Sequence, residues 1–214
     1  AQLVKEKPSE WIAISDLMAG VMAVMMLLLV LAIMQKGASE LKYKQELEQS
    51  KSHLEDPLKK ISQNIKNILN SGNANALIEM DLQHSRLTLR DGVFEKGSAC
   101  LTPEAQVAVQ SVQNQLASFL KEHSRSKILV EGYTDNLPVK NPVTDFRRFC
   151  TVYDDNYTLS AARAREARKA IIGTLDEATA RRIIVAGYGD SSPLPGIDPS
   201  DARNRRVEVQ LTLH

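Results

Sequence analysis

Aromatic residues are scarce in this sequence, at 5% of 214 residues, and the formal net charge is only +1 at pH 7. Proteins that bind nucleic acid usually carry a basic face, or aromatic side chains on which bases stack. The composition therefore argues against a direct nucleic-acid partner. No nucleophile with a neighbouring base is visible either, so we expect that the chain is not an enzyme.

Cysteine is nearly absent as well, since Cys100 and Cys150 are the only two. They form no CxxC pair and have no histidine cluster near them, so we expect no zinc site, no other metal and no cofactor. A disulfide between them is chemically permitted if this part of the chain lies outside the cytoplasm. Two free thiols are the alternative, and the residues alone leave both open.

Charge is almost missing from Trp11 to Met34, where Asp16 is the only ionisable residue. About 20 apolar helical residues cross a hydrocarbon core of about 30 Å. A cleavable signal peptide has a shorter apolar region, about 7–15 residues, followed by a small-residue cleavage site, and no Ala-x-Ala follows here. We therefore predict an uncleaved transmembrane helix over residues 11–34, preceded by a short segment, residues 1–10.

Asp16 has two interpretations. It could lie at the membrane interface, where the dipole of the helix N-terminus favours an anion. It could instead lie within the hydrocarbon, where a charge costs at least about 2.5–3.5 kcal/mol and usually marks an ion or proton path. Small residues share its helix face and would let other helices approach closely, which favours the second interpretation. They are Ala13, Ala19, Gly20 and Ala23.

Residues 35–75 are polar and have a sparse apolar stripe, which predicts a helical linker interrupted near Asp56-Pro57. The stripe is narrow for a helix buried in a domain. A solvated spacer and a thin dimer seam are the two alternatives. The run Ser71 to Ala76 is rich in small polar residues and predicts a loop, so we expect the C-terminal domain to cover residues 76–214.

The C-terminal part alternates predicted strands and helices. Residues 76–92 alternate apolar and polar positions around a polar turn, which predicts a β-hairpin. Thr102-Pro103 begins an amphipathic helix. A strand ending at Asp135, a second helix and two further strands follow. The pattern predicts an α+β fold in which two helices cover one face of a mixed sheet.

The residues that bind a ligand are expected where the predicted strands end. Asp135 follows a buried strand in the run Gly132 to Asn136, and Arg163 is expected on the first turn of the second predicted helix. Gly132 would let a ligand or the backbone approach closely. Asp135 and Arg163 could form an ion pair, or they could bind the ammonium and carboxylate ends of a zwitterion. Their spacing does not distinguish the two.

Four motifs carry a resemblance to a known family. GYTDN (132–136), NYTLSAARA (156–164), VAGYGDSSP (185–193) and NRRVEVQL (204–211) occur in order. Residues 76–213 therefore resemble the OmpA-like peptidoglycan-binding domain of OmpA, Pal and MotB proteins. The resemblance implies that Asp135 and Arg163 hold the diaminopimelate of the wall peptide. It also implies supporting roles for Thr134, Asn136, Phe94, Asn156, Leu159 and Arg206.

One stretch departs from the family pattern. Residues 137–155 lengthen the loop between the aspartate motif and the second helix. Cys150 lies in this insertion, and Cys100 follows the segment that contains Phe94. A disulfide between them would hold the insertion down over the site.

The combination of an early membrane aspartate with an OmpA-like domain resembles the MotB side of ion-driven stators. The resemblance implies a homodimer of single-span chains inside a ring of MotA- or ZorA-like multi-span subunits, a pentamer, in the bacterial inner membrane. It also implies that residues 1–10 are cytoplasmic, that the C-terminal domain is periplasmic, and that Asp16 carries the translocated H⁺ or Na⁺.

The membrane helix narrows the resemblance further. Flagellar MotB helices typically contain an aromatic-rich stretch ending in Trp-Leu, which residues 11–34 lack. These residues are more similar to the ZorB family, the MotB-like subunits of Zorya anti-phage defence. A flagellar stator subunit and a passive wall anchor of the Pal or OmpA kind are the alternatives. ExbD and TolR proteins share the aspartate but not the wall-binding motifs.

Overall fold

The computed structural model describes residues 10–72 and 74–213. Within them, side chains are described for residue 15 and for 17–36, 40, 42–44, 57–72 and 74–213. The predicted N-terminal segment up to residue 9 lies outside the described residues, and so does the side chain of Asp16. The chain divides into two compact units, residues 1–53 and residues 54–214.

The first helix, α1, is Glu10–Ser71. Its stretch Leu17–Lys36 has a mean hydropathy of 2.8 and is long and apolar enough to cross a membrane. The large apolar side chains described in this stretch are exposed rather than packed into a protein core. The predicted apolar helix is therefore confirmed as a helix.

The end of α1 differs from the predicted linker. The helix continues through Pro57 without a break. Ile61, Ile65 and Leu69 are buried in the core of the second unit, which begins at Leu54 rather than at residue 76. These residues are four positions apart and form a single stripe. A narrow apolar stripe is enough to pack the end of α1 into the core, because only one side of the helix contacts the rest of the domain.

The second unit contains a five-stranded mixed sheet. Its strands are β1 (Ile78–Asp81), β2 (Arg86–Leu89), β3 (Lys127–Tyr133), β4 (Ile183–Gly187) and β5 (Arg206–Thr212). Its helices are α2 (Pro103–Glu122), α3 (Phe146–Phe149), α4 (Asn156–Ile172) and α5 (Glu177–Ala180). The sheet order is β1-β2-β5-β3-β4, with β3 and β4 parallel and the other neighbours antiparallel.

The predicted α+β architecture is confirmed, with α2 and α4 on one face of the sheet. Inward-facing residues of β5 such as Val207, Val209 and Leu211 alternate with polar residues that face the other way. The core between helices and sheet also contains apolar residues of α2, including Val109 and Leu116. Two helices and the end of α1 thus supply this core, which positions the strand ends.

Capping residues set where the two long helices begin. The Thr102 side chain accepts a hydrogen bond from the Ala105 N–H, with Pro103 in the first helical position, as predicted. The Asp155 carboxylate accepts from the Thr158 N–H at 2.6 Å, so α4 begins at Asn156. Arg163 is therefore the eighth residue of α4 and not part of its first turn, which corrects the prediction.

Gly132 serves the packing of a helix rather than the approach of a ligand. A Cβ atom built at this position would lie 2.0 Å from the Ser160 carbonyl oxygen of α4. The strand and the helix therefore approach each other more closely than any side chain would allow. Of the two roles predicted for Gly132, close approach of the backbone is the one observed.

Candidate functional site

The sheet topology brings three strand ends to one edge. Strand β5 is antiparallel to β2 and β3, so its first residues pair with their last ones, with Leu89 opposite Val207 and Tyr133 opposite Arg206. The segments that follow β2 and β3 therefore meet the segment that precedes β5. Asp91, Asp135 and Arg205 lie in these segments.

Asp135 is buried, with only 5% of its surface exposed. Its Oδ2 accepts a hydrogen bond from Arg205 Nη1 at 2.5 Å, and its Oδ1 accepts one from the Leu137 N–H at 3.2 Å. Arg205 also donates from Nε and Nη2 to the two carboxylate oxygens of Asp91, both at 2.8 Å. One guanidinium thus bridges two carboxylates.

Arg163 is buried still more completely, with 3% exposed. Its Nε donates to the Ser98 carbonyl oxygen at 3.0 Å, and its guanidinium carbon lies 5.3 Å from the centre of the Phe94 ring. Its Nη1 is buried and has no hydrogen-bond partner among the described residues. An unsatisfied buried donor of this kind costs about 1–3 kcal/mol, more when it is charged, and so calls for a partner.

The charges around Arg163 act on it in opposite directions. Burial is the main influence and lowers the pKa of the Arg163 guanidinium. The Asp91 carboxylate opposes this most strongly, Arg205 adds to the lowering, and Asp135 contributes a smaller opposing effect. Two arginines and two aspartates therefore form one electrostatic cluster. Asp135 forms its ion pair with Arg205, and none joins Asp135 to Arg163 among the described residues.

Asn156 and Thr134 lie next to Asp135. Asn156 Nδ2 donates to the carbonyl oxygens of Asp135 at 3.1 Å and Leu137 at 3.0 Å, which fixes the turn after β3. Thr134 is buried, and its Oγ1 has no partner among the described residues. The structure thus places Phe94 against Arg163 and Asn156 against the Asp135 backbone, and Asp135 is near enough to Arg163 to influence its pKa.

The remaining predicted residues have other surroundings. Leu159 is buried in the second turn of α4. Asn136 is exposed, and its backbone N–H donates to the Pro199 carbonyl oxygen. Arg206 pairs with Glu208 at 2.6 Å and lies over the Tyr133 ring, on the sheet face away from α2 and α4. The arginine that reaches Asp135 is its neighbour Arg205, which immediately precedes β5.

Sequence reasoning missed Asp91 and Arg205. Asp91 comes two residues after β2, and Arg205 immediately precedes β5. A signal was available, because any charged residue beside a predicted strand end is a candidate for a site at that edge. Using it required the strand order, which the sequence does not display.

The insertion, residues 137–155, is bonded to the segment that contains Ser98, the hydrogen-bond partner of Arg163. Cys150 is disulfide-bonded to Cys100, which settles the two alternatives left by the sequence. The Tyr153 hydroxyl donates to the Gly97 carbonyl oxygen at 2.6 Å, and the Ala99 N–H donates to the Phe149 carbonyl oxygen at 3.0 Å. The segment that contains Ser98 is therefore joined to the insertion by the disulfide and by several hydrogen bonds.

The charged side chains of the site can bind charged groups of a ligand. Arg163 offers a guanidinium whose Nη1 has no partner in the described part of the chain, and such a group suits a carboxylate. Asp135 and Asp91 offer carboxylate oxygens nearby. No group of three potential metal ligands (His, Cys, Asp or Glu) is close enough together to hold a metal ion within the described part of the chain.

Comparison with known proteins gives the following relatives. Motility protein B of Bacillus subtilis (strain 168) is 27% identical over 128 residues, which cover 58% of this chain and 44% of that protein. The chain thus spans less than half the length of this relative. A solved structure from Desulfovibrio vulgaris, described as MotB-like, is 24% identical with a TM-score of 0.54, covering 76% of this chain and 98% of the other. It shows that the two share a fold.

A family model establishes the affiliation. The model of the OmpA family matches residues 93–206, which is more than half of the chain. The matched region contains Phe94, Asp135 and Arg163, and it ends at Arg206. This chain belongs to the OmpA family.

Proposed function

We propose that the second unit binds peptidoglycan by holding the diaminopimelate residue of its stem peptide. The observation that carries this proposal is the buried Arg163 guanidinium, whose Nη1 has no partner among the described residues. A ligand carboxylate would satisfy such a donor. Asp135 and Asp91, within the same cluster, would attract the ammonium group of the same zwitterion.

We further propose that the whole chain is the wall-anchored subunit of an ion-driven rotary stator in the bacterial inner membrane. The apolar stretch Leu17–Lys36 supports a single span. Asp16 would carry H⁺ or Na⁺ across, working with a pentameric MotA- or ZorA-like ring around a dimer of this chain. A wall-bound domain would give the ring a fixed point against which to develop torque. The membrane potential contributes about 2.3 kcal/mol per charge per 100 mV.

Within the stators, we propose a role in Zorya-type anti-phage defence, on the resemblance of residues 11–34 to the ZorB family. A flagellar stator subunit is the second candidate, because Motility protein B of Bacillus subtilis is similar to this chain. Phage plaque counts and swimming assays in a deletion strain distinguish them. A defence role requires that the chain reduce plaques without changing motility.

Wall binding is tested by retention on purified sacculi. Arg163→Ala should reduce retention of the full chain at least about tenfold, because a charge-assisted hydrogen bond contributes about 1.5–3 kcal/mol. Arg181→Ala is the matched control, since that side chain is 77% exposed and lies outside the site. Equal retention of the two variants would refute the assignment of Arg163.

The motor role is tested at Asp16. Asp16→Asn should preserve co-purification with a multi-span ring protein and abolish ion flux and phage protection. Glu40→Gln removes a charge from the same helix outside the apolar stretch and should leave both intact. A passive wall anchor would purify without a ring protein, and its function would survive Asp16→Asn.

A further inference from the structure

The two groups proposed to hold the ligand do not pair with each other. Arg163 Nη1 is buried without a partner among the described residues, and Asp135 is close enough to influence the pKa of Arg163. Opposite charges attract strongly in a buried environment, so a direct ion pair between them would be the simplest way to satisfy the donor. Such a pair would also close the site to any zwitterion.

Arg205 competes for Asp135. Its Nη1 holds Asp135 Oδ2 at 2.5 Å, and the Leu137 N–H holds the other oxygen at 3.2 Å. Both carboxylate oxygens of Asp135 therefore accept hydrogen bonds from donors other than Arg163. The competing arginine is itself fixed, because Asp91 accepts two parallel hydrogen bonds from it at 2.8 Å each.

We propose that Arg205 is a positioning residue that keeps Asp135 apart from Arg163, with Asp91 as its anchor. The inference rests on the proposed function, since it explains how a site for a zwitterion stays open in the absence of ligand. Arg205 needs no contact with the ligand in this role. Its removal leaves both ligand-holding side chains in place and allows them to neutralise each other.

The test compares four full-length chains in detergent: wild type, Arg205→Gln, Asp135→Asn and the double variant. The probe is a tripeptide containing meso-diaminopimelate, and the control peptide contains lysine, which lacks the second carboxylate. Arg205→Gln should weaken binding of the first peptide about tenfold or more. The double variant should bind it several-fold better than Arg205→Gln alone, because the neutral amide that replaces the Asp135 carboxylate no longer competes for Arg163.

This partial recovery distinguishes positioning from a structural role. If Arg205 only stabilises the fold, the losses of the two single variants add, and the double variant binds worse than either, which would overturn the inference. Arg205→Lys should retain more affinity than Arg205→Gln, since a lysine can still hold Asp135. The lysine peptide should show no recovery in the double variant, because it lacks the side-chain carboxylate that is proposed to bind Arg163.

A second readout needs no ligand. The structure of the Arg205→Gln chain should show an Asp135 carboxylate oxygen within about 4 Å of an Arg163 guanidinium nitrogen, the distance of an ion pair. Separation of the two groups in that variant would contradict the inference. If the wild type does not bind the diaminopimelate peptide at all, the proposed function fails. If wild type and Arg205→Gln bind equally while Arg163→Ala does not, only the role of Arg205 fails.

Discussion

Arg163 Nε donates a hydrogen bond to the Ser98 carbonyl oxygen at 3.0 Å, although the two residues are 65 positions apart in the sequence. Ser98 lies two residues before Cys100, which is disulfide-bonded to Cys150 in the insertion. The Ser98 side chain in turn donates to the Phe149 carbonyl oxygen at 3.1 Å. The orientation of Arg163 thus depends on the contact between the segment that contains Ser98 and the insertion, residues 137–155.

We expect the disulfide to stabilise the second unit substantially. The bond closes a loop with a sequence separation of 50, for which the chain-entropy model gives about 4 kcal/mol. Cys100→Ser combined with Cys150→Ser should lower the free energy of unfolding by about 2–5 kcal/mol, measured by urea unfolding. Adding reductant to the wild type should lower the urea midpoint similarly. No change on reduction would contradict the prediction.

Gly132→Ala should destabilise the fold by roughly 1–3 kcal/mol or more, because its Cβ would lie 2.0 Å from the Ser160 carbonyl oxygen and force α4 away from β3. Gly92→Ala is the control, since its Cβ would meet only the Leu77 side chain, at 3.4 Å. Thermal unfolding followed by circular dichroism measures both. Equal melting temperatures for the two variants would show that the close approach is not limiting.

Arg182 holds the end of α2. It donates from Nη2 to the Leu120 carbonyl oxygen at 2.5 Å and from Nη1 to the His123 carbonyl oxygen at 2.9 Å. Arg182→Ala would leave these carbonyl groups unsatisfied and should cost about 2–3 kcal/mol in urea unfolding. The neighbouring Arg181→Ala removes an exposed ion pair with Glu177 and should cost less than about 0.5 kcal/mol.

Asp201 should contribute to the acid sensitivity of the fold. Hydrogen bonds from the Arg203 side chain and backbone lower its pKa from 3.8 to about 2. Because the folded-state pKa is the lower one, its stabilising effect is present above pH 3.8 and is lost as the pH falls towards about 2. Urea midpoints measured across this range should fall less steeply in Asp201→Asn. Parallel profiles for the two proteins would refute this contribution.

Much of the fold could be predicted from local patterns. Period-2 alternation indicated the hairpin of β1 and β2, and Thr102-Pro103 indicated the start of α2. These patterns depend on neighbours a few residues away, which the sequence shows directly. Local patterns do not show contacts with distant residues. The burial of Ile61 and Ile65 at the end of α1 depends on a domain that follows later in the chain, so the sequence did not predict it.

The candidate site could be predicted only in part. Asp135, Arg163 and Phe94 were identified and lie together, whereas Arg206 faces the other side of the sheet. Arg205 and Asp91 were not identified. Each lies beside a strand end. The two residues meet because β5 lies between β2 and β3 in the sheet. Long-range strand order is decided by packing over the whole sheet and leaves no local signal.

By itself, the sequence predicted the main elements of this protein: an apolar helix, the two long helices and five strands of the C-terminal part, and a pair of residues suited to a zwitterion. Hydrophobic periodicity and helix capping depend on residues close together in the chain, so they can be recognised in the sequence. The tertiary structure alone decided that Asp135 pairs with Arg205 and not with Arg163, and that Cys100 meets Cys150. An ion pair or a disulfide forms only between groups that the fold brings within a few ångströms of each other. The sequence alone does not give the distance between two such groups.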